Sequence, residues 1–292
     1  MILVTGATGK VGREVVRQLA SAGVPARALV RDPIGASTIR IPGIEIAVGD
    51  LGRPETLPPI FEGVERVFLL TPAAPDQVEL QSNALDASRR AGARRIVKVS
   101  VAGGPDAGTQ IGRWHWATEK QIEASGLGFT FLRPTIYMQQ MLSYARSIAE
   151  TGTFSAPMGA GEVAIVDARD VAAVAARALL EPDGHQGKTY DVTGPEALSH
   201  TEACAKLGAA LGRPVRYVPV DDHTARTAML GAGLNRWMTD ALIELYQDYR
   251  QSGTSGYAAA VHNTVAEVTG APPRTLDQFL ADDLNQKGSV PA

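Results

Sequence analysis

The chain has 292 residues, of which 45% are hydrophobic and 20% are charged, so we predict a globular protein with one large α/β domain and a smaller lobe. Its formal net charge of −3 gives no overall electrostatic footprint for nucleic acid, and no nucleic-acid partner is expected. No stretch reaches the roughly 18 apolar residues of a membrane span, so no membrane partner is expected either.

The single cysteine, Cys204, excludes an internal disulfide and lies in a helical pattern typical of a core thiol. With no N-terminal targeting pattern in view, we expect a cytoplasmic protein, and we expect no metal site.

The first twelve residues predict a strand, a glycine turn and a helix. An apolar run at residues 2–4 is followed at once by Gly6-x-x-Gly9-x-x-Gly12, and apolar residues then recur at helical spacing. In a dinucleotide-binding unit of this order, Gly6 makes the tight turn, Gly9 admits the pyrophosphate close to the backbone, and Gly12 lets the helix pack on the strand. The alternative is an ordinary strand-to-helix turn. The residues expected to bind the dinucleotide here are Gly6, Thr8, Gly9, Lys10, Val11 and Gly12.

The end of the next predicted strand, residues 26–30, determines which cofactor is expected. In the dinucleotide-binding fold an acid at this point binds the ribose hydroxyls, whereas an arginine accommodates a 2′-phosphate. Arg31 follows the strand directly, and Asp32 comes one place later beside Pro33. The pattern therefore favours NADPH, with NADH as the second choice; the alternative for Arg31 is a solvated loop arginine.

Further strands are predicted at residues 44–48, 66–70, 95–99 and 128–132. Open α/β sheets bind ligands at the carboxyl ends of such strands. Asp50 is placed to contact the adenine amine, or alternatively to cap a helix ahead of Pro54. The residues expected to contact the cofactor at these strand ends are Asp50, Leu51, Thr71, Pro72, Ser100 and Pro134.

Four strand–helix alternations in the first hundred residues predict an α/β fold, a doubly wound parallel sheet of the NAD(P)-binding Rossmann type. The alternation weakens after residue 133, residues 163–166 and 188–192 are expected to return to the sheet, and the remaining chain is mostly helical with a strand near 215–220. We assign residues 1–133 plus 161–193 to the dinucleotide-binding domain. Residues 134–160 plus 194–292 form the smaller, mostly helical substrate-binding lobe over the nicotinamide end.

Two features of this lobe are left open by the sequence. Its aromatic residues either line the substrate pocket or form core, and the helical pattern at residues 234–250 either pairs two chains in a homodimer or packs on its own lobe. The aromatic residues are Trp237, Tyr246, Tyr249 and Tyr257.

Several motifs together resemble the NmrA-like branch of the atypical short-chain dehydrogenases/reductases over nearly the whole chain. The motifs are Gly-Ala-Thr-Gly-Lys-Val-Gly at 6–12, Leu-Val-Arg-Asp-Pro at 29–33, Gly-Asp-Leu at 49–51, Lys-Val-Ser at 98–100, His115-x-x-x-Glu119-Lys120, Phe-Leu-Arg-Pro at 131–134, Asp-Ala-Arg-Asp at 167–170 and Thr-Tyr-Asp-Val-Thr-Gly at 189–194. The resemblance is greatest to bacterial members that are NAD(P)H-dependent quinone or azo-dye reductases. It implies a Rossmann fold and a hydride-transfer activity.

The superfamily's usual Tyr-x-x-x-Lys pair is incomplete, because Trp116 stands four residues before Lys120 and an indole cannot act as an acid. A quinone or azo acceptor fits this departure, since hydride addition to it gives a delocalised or aromatised anion. The resemblance gives Lys120 a role at the nicotinamide ribose and in electrostatic stabilisation. The alternative is a surface lysine paired with Glu123 or Glu119.

Two further side chains are candidates for proton transfer. His115 could relay a proton or make a structural hydrogen bond along the helix with Glu119. Tyr137, just beyond the sixth strand, could donate to the substrate, or could be pocket wall or core near Met138 and Met141. The candidate catalytic residues are therefore Lys120, His115 and Tyr137.

The function predicted is an NADPH-dependent reductase that passes hydride to a quinone-like or other electron-poor aromatic acceptor. Two alternatives remain. The protein could bind NADP(H) as a redox sensor without turnover, as some NmrA-like proteins do, or it could be a biosynthetic tailoring reductase.

Overall fold

The computed structural model describes residues 1–144, 148 and 150–287. A seven-stranded sheet, in the order β3-β2-β1-β4-β5-β6-β9, forms its centre, and every neighbouring pair in it is parallel. The strand order reverses at β1, which is the doubly wound Rossmann arrangement, so the predicted fold class is confirmed. The strands are β1 Ile2–Val4, β2 Ala26–Val30, β3 Ile44–Val48, β4 Arg66–Leu69, β5 Arg95–Val99, β6 Gly128–Pro134 and β9 Lys188–Val192.

Helices cover both faces of this sheet, because its central strands carry apolar side chains on alternate faces. Val4 packs in a core with α1 and α5, whereas Leu3 packs in a second core with α3 and α4. The helices of the chain are α1 Lys10–Ser21, α2 Pro58–Phe61, α3 Gln77–Arg90, α4 Gln110–Ala124, α5 Ala168–Leu180, α6 Pro182–His185, α7 His200–Leu211, α8 Asp222–Gly231, α9 Arg236–Ser252, α10 Thr264–Thr269 and α11 Leu276–Lys287.

A smaller lobe with its own apolar core stands beyond the carboxyl end of β6. Its two small sheets pair β7 Thr153–Ala156 with β11 Arg216–Pro219, and β8 Glu162–Val163 with β10 Leu198–Ser199. The strand predicted near 215–220 is thus present as β11. Residues 145–147, 149 and 288–292 of the predicted lobe lie outside the described residues.

The expected return of residues 163–166 to the main sheet is wrong. Val163 pairs with Leu198 in a two-stranded antiparallel sheet, and Val166 makes a single bridge to Tyr137. The physical reason is that β9 occupies the place beside β6, so this segment has no free strand to join. It runs instead between the large sheet and the small lobe.

The aromatic residues of α9 pack inside the chain, and one of them, Tyr246, also lines a pocket. Tyr246 and Tyr249 are buried, and Trp237 stacks on Trp114 of α4 with ring centroids 5.7 Å apart. The apolar face of α9 therefore packs within its own chain. Among the described residues, no helix is long and apolar enough to cross a membrane, and no group of three or more His, Cys, Asp or Glu side chains could hold a metal ion.

Candidate active site

The turn between β1 and α1 is tight because its glycines leave no room for side chains. Gly6 has a φ of +60°, and a β-carbon there would lie 2.8 Å from the carbonyl oxygen of Leu70. A β-carbon on Gly12 would lie 2.2 Å from the carbonyl oxygen of Gly6. Gly9 is the N-cap of α1 and has no side chain to cap the helix. The N-terminus of α1 therefore opens towards the carboxyl edge of the sheet, where an anion would be stabilised.

Thr5 fixes this turn to the neighbouring strand. Its hydroxyl donates to the carbonyl oxygen of Leu70 at 2.9 Å and accepts from the N–H of the same residue at 2.9 Å. The sequence analysis did not select Thr5, although a threonine at the carboxyl end of a buried strand indicates a hydroxyl that bonds to a neighbouring strand.

A cleft of about 410 Å³ runs along this edge of the sheet. Most of the residues predicted to bind the cofactor line it: Gly6, Thr8, Gly9, Lys10, Val11, Arg31, Asp50, Leu51, Thr71 and Pro72. The lining residues that the sequence did not single out are Thr5, Leu29, Val30, Gly49, Leu70 and Leu80. Four predicted residues, Gly12, Ser100, Lys120 and Pro134, are not part of the lining.

The side chain of Arg31, at the end of β2, is chemically suited to a 2′-phosphate. Arg31 is exposed at the end of β2 and lines the cleft, whereas Asp32 accepts a hydrogen bond from the N–H of Ile34 at 2.8 Å. Asp50 accepts from the N–H of Gly52 at 2.9 Å, and the residue that caps the following short helix is Arg53. Asp50 is therefore not the cap that was the alternative for it.

An apolar pocket lies in the small lobe and shares Tyr137 with the cleft. Its enclosed space is only about 50 Å³. Its lining is Ile136, Tyr137, Gln140, Met141, Phe154, Val163, Ile165, Leu198, His200, Ala203, Cys204 and Tyr246. The two cavities thus meet at a single phenol, which sequence reasoning had named as a candidate but had not placed.

Burial favours the neutral forms of three titratable groups of this pocket. Burial raises the pKa of the Tyr137 phenol above its ordinary value, and its hydroxyl has no hydrogen-bond partner among the described residues. Burial lowers the pKa of His200, whose ring stacks on Phe154 at 5.2 Å, to about 4. Burial also raises the pKa of the Cys204 thiol to about 11, in agreement with the core thiol expected from the sequence.

Helix α4 buries the face that carries His115 and Glu119, and not the face of Lys120, which was expected to lie at the site. His115 and Glu119 are buried, whereas the ammonium of Lys120 lies 2.6 Å from Glu123 Oε2 and 4.0 Å from the centre of the Trp116 ring. The side chain of Lys120 is 48% exposed. This is the surface pairing that was the alternative for Lys120.

His115 does not bond to Glu119 as the sequence suggested. Its Nδ1 lies 2.8 Å from Lys98 Nζ, a residue that sequence reasoning did not select. Glu119 instead holds the guanidinium of Arg133 through two hydrogen bonds, of 3.1 and 2.5 Å. Glu119 prefers Arg133, on β6, because a guanidinium is always charged and can bond to both carboxylate oxygens, whereas the buried imidazole is neutral.

The fold and the cleft define a dinucleotide-binding α/β protein with an attached second lobe. The chain belongs to the NmrA-like family, whose pattern it matches over residues 1–280. It is 45% identical to an NAD(P)H azoreductase of Xenophilus azovorans over 280 residues, 96% of each protein.

Two solved structures resemble the whole chain. An NADPH-dependent quinone oxidoreductase of Escherichia coli, complexed with NADPH, has a TM-score of 0.89 and 28% identity, and the match covers 98% of this chain and 100% of that one. A triphenylmethane reductase of Citrobacter sp., complexed with NADP(H), has a TM-score of 0.85 and 26% identity, covering 97% and 99% of the two chains.

Proposed function

We propose that this protein is an NADPH-dependent oxidoreductase that reduces a quinone or azo acceptor. The observation that carries the proposal is the junction at Tyr137, where a cleft suited to a phosphorylated dinucleotide meets an apolar pocket suited to an aromatic ring. The names of the family relatives, an azoreductase and a quinone oxidoreductase, support it.

The cofactor's expected place follows from the lining of the cleft. The N-terminus of α1, with Gly6 and Gly9, would hold the pyrophosphate, and Arg31 would take the 2′-phosphate. Thr71 and Pro72 would border the middle of the cofactor. Ser100 and Pro134, which follow β5 and end β6 outside the lining of the cleft, would lie towards the nicotinamide. When bound, the cofactor supplies the hydride.

The acceptor would occupy the apolar pocket. A space of about 50 Å³ is much smaller than the roughly 300 Å³ at the lower end of ordinary ligand sites, so the lining side chains must move apart to admit a ring. Among the described lining residues none is a lysine or an arginine. This lining favours an uncharged planar acceptor over a phosphorylated one.

Tyr137 would orient the acceptor without giving up its proton. A phenol whose pKa is raised by burial holds its proton at neutral pH, so it acts as a hydrogen-bond donor rather than as an acid. A hydrogen bond to the acceptor oxygen or nitrogen stabilises the negative charge that hydride addition creates there.

The test is NADPH oxidation by the purified protein against a panel of quinones and azo dyes, with the affinities for NADPH and NADP measured in parallel. Rapid turnover with any of these acceptors supports the proposal. Tight dinucleotide binding without turnover would favour the redox sensor, and turnover confined to conjugated biosynthetic substrates would favour the tailoring reductase.

We also propose a cytoplasmic location, where reduced NADPH is maintained and the thiol of Cys204 stays reduced. A homodimer would use a surface other than the apolar face of α9, which packs within its own chain. Light scattering over a range of protein concentrations measures the assembly state.

A further inference from the structure

Lys98 is a lysine buried inside the sheet domain. It lies on β5, its side chain is 0% exposed, and its ammonium lies 3.2 Å from the carbonyl oxygen of Val99 and 2.8 Å from Nδ1 of His115 on α4. A lysine is rarely buried without a carboxylate beside it, because desolvation of the charge is unfavourable. This position therefore needs an explanation beyond packing.

The nearest acid is already engaged. Glu119 binds the guanidinium of Arg133 through two hydrogen bonds, so that ion pair leaves Lys98 with a neutral imidazole as its partner. Burial lowers the pKa of Lys98 to about 7, with Glu119 opposing and Arg133 reinforcing the shift. Burial and the charge of Lys98 hold the pKa of His115 well below its ordinary value. Lys98 can thus exchange a proton near neutral pH while His115 stays neutral.

The pair lies beside the end of the sheet that binds ligands. Side chains alternate along a strand, so Lys98 and Ser100 share the face of β5 that looks towards α4. Ser100 is 5% exposed, and its hydroxyl has no hydrogen-bond partner within the described part of the chain. A buried hydroxyl without a partner at the carboxyl end of a strand is typical of a place where a ligand completes the hydrogen bonding.

We propose that Lys98 stores the proton that the reduced acceptor takes up, and that His115 passes it on. This inference rests on the proposed function. Reduction of a quinone takes one proton and one hydride, and a bound NADPH would supply the hydride with its two electrons. The Nε2–H bond of His115 breaks as an O–H bond of the hydroquinone forms, and Nδ1 takes a proton from the Lys98 ammonium. A proton from water then binds Nε2, and Nδ1 returns its proton to the neutral amine of Lys98, so both groups regain their starting forms.

This assignment makes His115 the catalytic residue and Lys98 a positioning residue that acts through it. When Lys98 is protonated, Nδ1 accepts from its ammonium, and the ring proton of a neutral His115 then resides on Nε2, the nitrogen that Lys98 leaves free.

The test compares two acceptors with different proton requirements. A quinone needs a hydride and a proton, whereas a cationic triarylmethane dye takes a hydride alone and becomes neutral. Lys98→Met keeps a side chain of similar length and removes the ammonium proton. We expect this variant to reduce the quinone roughly a hundredfold more slowly relative to the dye than the wild type does. Lys188→Met, at an exposed lysine on β9, is the matched control and should leave the ratio of the two rates unchanged.

A pH profile with the quinone alone gives an independent readout. The wild-type kcat should fall as the pH rises through about 7, where the Lys98 ammonium loses its proton, and Lys98→Met should show no such fall. His115→Gln, which cannot pass a proton, should reproduce both effects and replaces Lys98→Met if that variant does not fold.

The outcomes separate this inference from the proposed function. Equal losses with both acceptors, or an unaltered pH profile in Lys98→Met and His115→Gln, would overturn the proton route and leave the reductase standing. A wild-type protein that reduces neither acceptor would overturn the reductase itself, and the proton route with it.

Discussion

The backbone of Gly12 passes so close to the carbonyl oxygen of Gly6 that a β-carbon at position 12 would lie 2.2 Å from it. No real contact of this kind is tolerated, so Gly12→Ala must push α1 away from the glycine turn. We expect NADPH binding at least tenfold weaker and a free energy of unfolding lower by about 1–3 kcal/mol. Titration calorimetry and urea unfolding measure the two effects.

A glycine in open space provides the control for this substitution. Gly231, at the end of α8, has no heavy atom within 4 Å of its would-be β-carbon. Gly231→Ala should keep full NADPH affinity and stabilise the helix by up to about 1 kcal/mol. Equal behaviour of the two variants would contradict the close approach at Gly12.

Arg31 is the side chain expected to distinguish NADPH from NADH. Loss of a hydrogen bond to a charged group is worth about 1.5–3 kcal/mol, so Arg31→Ala should weaken NADPH binding by roughly ten- to hundredfold. The Kd for NADH should change little. Arg40→Ala, at another exposed arginine after β2, should affect neither cofactor. Equal losses for NADPH and NADH would make Arg31 an ordinary loop residue.

Tyr137→Phe removes one hydroxyl from the wall that the two cavities share. Because this hydroxyl has no partner among the described residues, the fold should keep its stability. The quinone kcat should fall up to about tenfold, as expected for one neutral hydrogen bond, while the Kd for NADPH stays the same. The control is Tyr190→Phe, which breaks a 2.8 Å bond to His185 outside the site. An unchanged kcat in Tyr137→Phe would reduce Tyr137 to pocket wall.

Lys120→Ala decides between the two roles named for this lysine. A role at the nicotinamide ribose requires a loss of roughly ten- to hundredfold in kcat, a transition-state effect of about 1.4–2.8 kcal/mol. The exposed pair with Glu123 instead requires a near-normal rate, since surface ion pairs contribute about 0–1 kcal/mol to stability and nothing to the chemistry. The location of Lys120 outside the lining of the cleft favours the near-normal rate.

The buried ammonium of Lys98 also affects stability. Its pKa is lowered to about 7 from an ordinary value of 10.5, so between these values the unfolded chain binds a proton that the folded chain has lost. The free energy of unfolding should therefore rise with pH across this window, by at most about 1.4 kcal/mol per pH unit from this group. Urea unfolding of the wild type and of Lys98→Met at several pH values isolates the contribution. Parallel stability curves would show that Lys98 titrates normally.

Local patterns in the sequence were sufficient for the large sheet and for most of the cleft. The strand at Ala26–Val30 and the residues Arg31, Asp50 and Thr71 are found where the alternation of strands and helices put them, because parallel strands bring their carboxyl ends to one edge. The apolar pocket was not predictable in the same way. It joins Tyr137, Leu198 and Tyr246, which long-range packing brings together and no local spacing relates.

The sequence analysis made two errors at the site: it chose the wrong face of α4, and it did not select Lys98. Helical spacing correctly placed Trp116 and Lys120 on one face, but it does not say which face is buried, and the buried pair is offset by one residue, about 100° of rotation. Lys98 was overlooked although its position was informative. It shares the inward face of β5 with Ile96, and a lysine at a core position of a buried strand indicates a group with a specific task.

The chain enters the small lobe after β6, returns to the large sheet for α5 and β9, contributes β10 to the small lobe, and comes back once more at α10, whose Val265 packs in the core of α1 and α5. Neither lobe is therefore encoded by one continuous stretch of gene. Recombination at a single junction cannot transplant the acceptor pocket onto another dinucleotide-binding domain, because β9 would be carried with it or lost from the sheet. Exchange of this pocket as a unit would need at least two junctions, one on each side of the segment that carries α5 and β9.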